Sequence, residues 1–448
     1  MIETLNRDCF CVSLDADALR RAIEADPAAH GLHRLIEERC PHLFAALPVY
    51  VSRRHVDAMA DVIHAVELVA ALPAYREAAL EWAPAIGRFD PGTPGAFMGY
   101  DFHLGADGPR LIEINTNAGG ALLNTILARA QRACCEDIES LVTGPVPVAD
   151  LERTFFEMFV AEWRSAGRDG LPKRIAIVDD NPEQQFLYPE FLLFAQLFRR
   201  FGIEAAVLDP AELSFGDGVL RDARGPIDLV YNRLTDFSLE APAHAALRDA
   251  YLARAAVVTP HPRAHAIYAD KRNLTLLTDP ARLRSWGVRE STLDTLLRGI
   301  ARTEMVSASD SGRLWADRRG LFFKPATGYG SKAAYRGDKL TRRVWTDILS
   351  GQYVAQELVP PGERRTGPES SMKSDVRNYV YAGQVHLLAA RIYQGQTTNL
   401  RTAGGGFAPV LTTPAPVVQP NMSHSGRSSR SMPIASSTTP PARCENRT

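Results

Sequence analysis

Between Arg174 and Val258 short apolar runs alternate with amphipathic stretches, and this alternation restricts the fold more than any other feature of the chain. Residues 174–178, 203–208, 227–231 and 256–258 read as strands, while 185–201 and 239–255 carry apolar residues at helical spacing. Strands separated by helices imply parallel βαβ units, so a small α/β domain is expected over 169–265.

The flanks have a different texture. Residues 55–85, 121–140 and 148–166 follow helical periodicity, which makes 1–168 a mostly helical part built around one strand at 111–115. Downstream, 266–412 holds a helix beginning near Lys271, strands at 321–324 and 352–359, and a hairpin pairing 376–381 with 385–393 across Ala382-Gly383. Residues 413–448 are rich in Pro, Ser, Thr and Arg without apolar periodicity and read as a disordered tail.

A chain of 448 residues with 45% hydrophobic content, 23% charged content and a net charge of -1 has no bulk attraction to nucleic acid or to an anionic membrane. Its start carries acids in place of a signal peptide's basic and apolar regions, and no apolar run reaches membrane-spanning length, so a cytoplasmic location is expected. Six cysteines, at positions 9, 11, 40, 134, 135 and 444, lack CxxC spacing, which argues against zinc and against a disulfide framework. Cys134 and Cys135 read as buried free thiols, and His261 and His265 as structural.

Four segments carry chemistry. In Leu111-Ile112-Glu113-Ile114-Asn115 the alternation of a strand puts Glu113 and Asn115 on one face, two hard oxygen donors of the kind Mg²⁺ takes when phosphates supply other ligands. An edge strand with two exposed polar residues fits the same pattern. Phe323-Lys324-Pro325-Ala326-Thr327-Gly328-Tyr329-Gly330-Ser331-Lys332 sets a lysine at a strand end before a glycine loop whose N–H groups suit an anion, though a structural turn also fits and the Walker A spacing is absent. Gln356-Glu357-Leu358-Val359-Pro360 ends a strand at a proline, where free backbone groups can serve adenine and Glu363 the ribose, or where a strand simply leaves its sheet. In the hairpin Asp375 and Arg377 share a face, and Arg401 stands beside three consecutive glycines that suggest a second anion-contacting loop.

Taken in order, Lys271, Lys324, the glycine loop, the Gln-Glu-Leu-Val hinge and the basic hairpin resemble the nucleotide clamp of the ATP-grasp superfamily. Glu113-Ile114-Asn115 lies upstream of both lysines, whereas most members place this pair after the hairpin; that permuted order resembles the eukaryotic-type glutathione synthetases and their bacterial relatives. The likeness covers about residues 95 to 410 in blocks. It implies an α/β fold with α+β regions, in which a permuted ATP-grasp clamp carries an inserted parallel α/β substrate domain and a helical N-terminal part. It also implies an ATP- and Mg²⁺-dependent ligase that phosphorylates a small-molecule carboxylate and lets an amine attack the acylphosphate, in a chain that is often a homodimer. An ATP-binding protein without ligase activity is the alternative.

Under the resemblance Glu113 and Asn115 bind the metal, Lys271, Lys324, Gly328, Gly330 and Ser331 bind phosphates, Gln356, Glu357 and Leu358 frame adenine, and Glu363 meets ribose. Arg401, Arg377 and Lys324 would act on the transferred phosphate, while Asp101, Asn117, Glu183 and Arg233 would meet the acid or amine. Two departures stand out. Thr327 and Gly328 occupy the place of a third metal-binding glutamate, for which Asp375 is the substitute considered. The arginine expected before Asp101 is missing, so glutathione is not implied as the product.

Overall fold

The central sheet joins segments from the first third of the chain to segments from the last. Strands Met98–Gly105 and Gly108–Asn115 form a hairpin, and the first of them pairs antiparallel with Ser370–Tyr381. The sheet continues through Gln384–Tyr393 and Gly406–Thr412 to Val49–Val51, with Gly362–Gly367 alongside Ser370–Tyr381. The expected turn at Ala382-Gly383 has φ of 46° and 79°, the left-handed pair that lets two residues join strands without splaying them. This computed structural model describes residues 2–12, 14–25, 30–131, 146–328 and 333–412. The expectations for Cys134, Cys135, Gly330, Ser331, the 413–448 tail and the 121–140 helix beyond 131 therefore lie outside the described residues.

Alternation along the strands sorts the two faces of this sheet. Tyr100, Phe102, Ile114, Val376, Leu388 and Ala390 enter one apolar core with helix Arg53–Ala70. On the other face Phe97, Tyr379, Leu387, Ala389 and Phe407 enter a second core with helices Leu151–Ser165 and Tyr188–Arg200. Asp101, Glu113, Asn115, Asp375, Arg377 and Arg391 belong by alternation to that second face, which thus changes from aromatic to charged along its strands. The helical stretch expected over 55–85 is two helices, Arg53–Ala70 and Pro73–Glu81, because Pro73 lacks the N–H a helix interior needs and starts a new first turn instead.

The second sheet is wholly parallel, ordered Val257–Thr259, Leu229–Asn232, Arg174–Val178, Glu204–Leu208. Its winding reverses between the two middle strands, which opens a crevice beyond their carboxyl ends, where Asp179 and Arg233 follow. The third sheet, ordered Thr303–Met305, Tyr353–Glu357, Leu321–Pro325, Tyr335–Arg336, is antiparallel and packs Phe323 and Ala355 against Leu314, Trp345 and Ile348.

The turn after Asn115 is fixed by close packing. Gly120 has φ +98°, and a Cβ on it would lie 2.3 Å from the Phe407 ring. Gly120→Ala is expected to cost about 2–4 kcal/mol through backbone strain and overpacking; an unchanged midpoint in urea unfolding would show the turn to be adaptable.

Candidate active site

Two strands that are 212 residues apart in sequence meet at Lys324. Opposite Asp101 the ladder pairs Glu113 and opposite Phe102 it pairs Leu111, so Ile112 is a bulge residue outside the register. The carbonyl of Ile112 accepts from Lys324 Nζ at 2.9 Å, and Gln356 Oε1 accepts from the same ammonium at 2.8 Å. Lys271 Nζ donates to the carbonyl of Gly328 at 2.8 Å and lies 3.4 Å from Glu113 Oε1. Two ammonium groups therefore flank one carboxylate.

Burial alone would raise the Glu113 carboxyl, but Lys271 and Lys324 outweigh it and hold it below its usual range. Burial pulls the Lys324 ammonium down to about 8, with Glu113 opposing the shift. These groups face a cavity of about 240 Å³. Its walls hold Glu113, Lys271, Lys324, Gly328, Gln356, Glu357 and Leu358, seven of the residues picked out in the sequence.

Beside this cavity the charged face of the central sheet is closed on itself. Arg377 donates to Asp101 through Nε at 2.6 Å and Nη2 at 2.7 Å, and Arg391 Nη2 reaches the same carboxylate at 3.0 Å. Arg391 Nε donates to Asp375 Oδ1 at 2.7 Å, and Thr398 Oγ1 donates to Asp375 Oδ2. Burial opposes the charge on Asp101, but the two guanidinium groups hold its carboxyl well below the usual range. Asp375 is fully buried with a hydrogen bond on each oxygen. Asn115 Nδ2 donates to Asp101 Oδ2 at 3.1 Å, which leaves Oδ1 as its free donor oxygen for a cation.

Other picked residues stand apart. Asn117 Nδ2 donates to the Arg233 carbonyl at 2.8 Å, and Arg233 Nη1 donates back to Asn117 Oδ1, so these two tie the end of the Glu113 strand to the crevice of the parallel sheet. Glu183 is exposed on the short helix Pro182–Gln184. Glu363 is exposed on an edge strand opposite Lys373 and does not line the cavity, and Arg401 is exposed in the loop before the glycines.

Lys373, Arg336, His103 and the loop residues Gln396, Thr397 and Thr398 also line the cavity, and the sequence reading did not select them. A signal for two of them existed. Lys373 lies two residues before Asp375 and His103 two after Asp101, so each shares the face of a residue that was selected. Arg336 and the loop arrive from elsewhere in the chain, and no spacing rule announces them.

The central sheet thus brings Glu113 to Lys271 and Lys324 at a cavity that the small antiparallel sheet borders, and this fold has a counterpart among solved glutathione synthetase-like proteins. Among solved structures the chain is similar to a glutathione synthetase-like effector from Globodera pallida in its apo form, with TM-score 0.52 and 13% identity over 82% of this chain and 89% of that one. It also matches a putative gamma-glutamylcysteine synthetase from Methylobacillus flagellatus KT, with TM-score 0.47 and 10% identity over 81% of this chain and 89% of that one. No protein-family model matches the chain, and no curated protein does. At 13% identity the likeness to the effector is one of fold.

Among the described residues no helix is long and apolar enough to cross a membrane, and no three His, Cys, Asp or Glu side chains are grouped to hold a metal ion.

Asp101→Asn would leave two buried guanidinium groups with one carboxylate fewer, and a loss of about 3–5 kcal/mol is expected in denaturant unfolding at neutral pH. Because the Asp101 carboxyl is held below its unfolded value, its contribution is complete above the usual carboxylate range and is lost as pH falls through and below it. The variant's stability should therefore lose part of the wild type's acid dependence; identical pH profiles would contradict this role.

Proposed function

We propose that this chain is an ATP-dependent ligase joining a small-molecule carboxylate to an amine through an acylphosphate, with Mg²⁺ as its metal. The observation that carries the reading is the convergence of Lys271, Lys324 and Glu113 on one cavity below the strand end Gln356-Glu357-Leu358. The fold likeness supports it.

The donor set fits the groups proposed. Mg²⁺ is commonly held by one or two carboxylates with substrate phosphates and waters, so Glu113 with Asn115 Oδ1 suffices without a preformed cage. When bound, the metal would neutralise charge on the transferred phosphoryl group. Asp375 is the weaker candidate ligand, since both its oxygens are engaged. Lys271 and Lys324 would hold the phosphates, and the acceptors they now use, Gly328, Ile112 and Gln356, are neutral groups that a phosphate oxygen can replace at a gain in electrostatic energy. Phosphoryl transfer needs little acid–base machinery, so these cations act by positioning and electrostatic stabilisation.

On this reading Glu357 and Leu358 frame adenine, and Gly330 and Ser331 join Gly328 in binding the phosphates. Arg401 is free to approach the acylphosphate. Arg377 acts at one remove, through the charged face it shares with Asp101. Asn117, Arg233 and Glu183 belong to the acid or amine side of the reaction. Glu363 contacts ribose only if its strand shifts toward the cavity. A cytoplasmic homodimer is part of the same reading.

Four outcomes test it. Purified protein should release ADP from ATP-Mg²⁺ with at least one acid and amine of a broad panel; ATP binding without ADP release from any pair would favour a nucleotide-binding protein lacking ligase activity. Glu113→Gln should abolish magnesium-dependent turnover while the melting temperature without ligand stays close to wild type, and unaltered turnover would remove the metal assignment. ATP-Mg²⁺ at about 100 times Kd should add roughly 2.7 kcal/mol of stability. Because burial holds the Lys324 ammonium down to about 8, ATP affinity should fall as pH rises through that range, and Lys324→Gln should lose this dependence.

A further inference from the structure

A run of cations leads from helix Ser311–Asp317, which packs on the small antiparallel sheet, to the cavity. It begins at Trp315, whose ring has Arg342 Cζ 4.1 Å and Arg318 Cζ 4.2 Å from its centroid. Arg319 and Arg343 are exposed neighbours of that pair. The backbone at Gly337 lies against Arg318, since a Cβ on Gly337 would sit 1.8 Å from the Arg318 carbonyl oxygen, and so Arg336 and Lys339 continue the run. Lys373 comes next: burial first, then the charges of Arg336 and Lys339, lower its ammonium. Arg336 and Lys373 both line the cavity.

Most of this charge is uncommitted. Arg336 pairs with Asp338 at 3.0 Å, and the nearby Arg313 pairs with Glu304. Among the described residues Arg318, Arg319, Lys339, Arg342 and Arg343 form no ion pair. Arg318 Nη1 donates to the Trp315 carbonyl at 2.6 Å, and the remaining N–H groups of the stacked guanidinium pair lie at the ring edge, a presentation that carboxylates match.

We propose that this strip is a docking surface for an acidic polypeptide segment, which it would lead toward the cavity mouth. Nucleic acid fits less well. Single strands need aromatic faces for their bases, and the partly exposed Trp315 of the strip has guanidinium groups over its ring, in a chain whose net charge is -1. This proposal goes beyond the ligase reading and does not depend on it.

The test is fluorescence anisotropy of a labelled oligoglutamate against the full chain at low salt, beside an oligothymidylate and vesicles containing phosphatidylserine. Arg319→Glu/Lys339→Glu/Arg343→Glu should weaken oligoglutamate binding by at least about tenfold, while charge reversal at Arg20 and Arg21 should leave it unchanged. Should the triple reversal fail to fold by circular dichroism, Arg319→Gln/Lys339→Gln/Arg343→Gln is measured in its place, with a weakening of several-fold expected. Oligoglutamate binding that survives the substitutions overturns the proposal, as does strip-dependent binding of the oligonucleotide or the vesicles that exceeds that of oligoglutamate. The ATP-dependent thermal shift should be the same in all of these variants, so the strip and the nucleotide site succeed or fail separately.

Discussion

The carboxylate of Asp101 under the guanidinium groups of Arg377 and Arg391 is the interaction on which the rest of the site depends. It sits where a strand from the first third of the chain pairs with one from the last. Backbone hydrogen bonds alone would allow other registers, but a shift by one residue would turn Asp101 into the apolar core and Phe102 toward the guanidinium groups. The charge pairing thus fixes the register, and the register sets Glu113 beside the two lysines. Two carboxylates and two guanidinium groups form a neutral set, which is the condition under which buried charge is tolerable in a folded chain.

The same set explains why the site divides into fixed and available charge. Asp101, Asp375, Arg377 and Arg391 satisfy one another and serve as scaffold. Lys271 and Lys324 bond neutral acceptors, and Glu113 is held ionised by them while remaining partly accessible. Charges left short of partners at a cavity are the ones a phosphate or a cation can reward. The bulge at Ile112 contributes directly, because the residue it drops from the ladder is the one whose carbonyl holds Lys324 in place.

Local features of this arrangement were legible in the sequence. The period-two pattern of 111–115, the alternation from 174 to 258 and the Ala382-Gly383 turn each record a local rule, and the structure has Gly108–Asn115, the parallel sheet and the hairpin where those rules put them. Glu113, Lys271 and Lys324 were reachable because the order of motifs resembles a known clamp. Partnership was not legible. Nothing in the spacing of Asp101 and Arg377 says that they neutralise one another, since the ladder that brings them together joins segments 276 residues apart. Glu363 and Arg401 were selected by their nearness in sequence to site segments, yet a strand turning along the sheet edge and a loop with its own internal hydrogen bonds carry them outward. The expected strand Leu111–Asn115 also begins earlier than its apolar pattern, at Gly108, because the hairpin with Met98–Gly105 extends it through residues that the pattern alone leaves out.

The central claim is that Glu113, Lys271 and Lys324 form the phosphate end of a nucleotide site. A crystal structure of the protein with a non-hydrolysable ATP analogue and Mg²⁺ tests it most directly. The account predicts phosphate oxygens in contact with Lys271 Nζ and Lys324 Nζ, displacing the Ile112 or Gln356 oxygen from Lys324, and a metal ion on Glu113. A nucleotide bound elsewhere, or bound here with Lys324 still held by both neutral oxygens and no metal at Glu113, would contradict it.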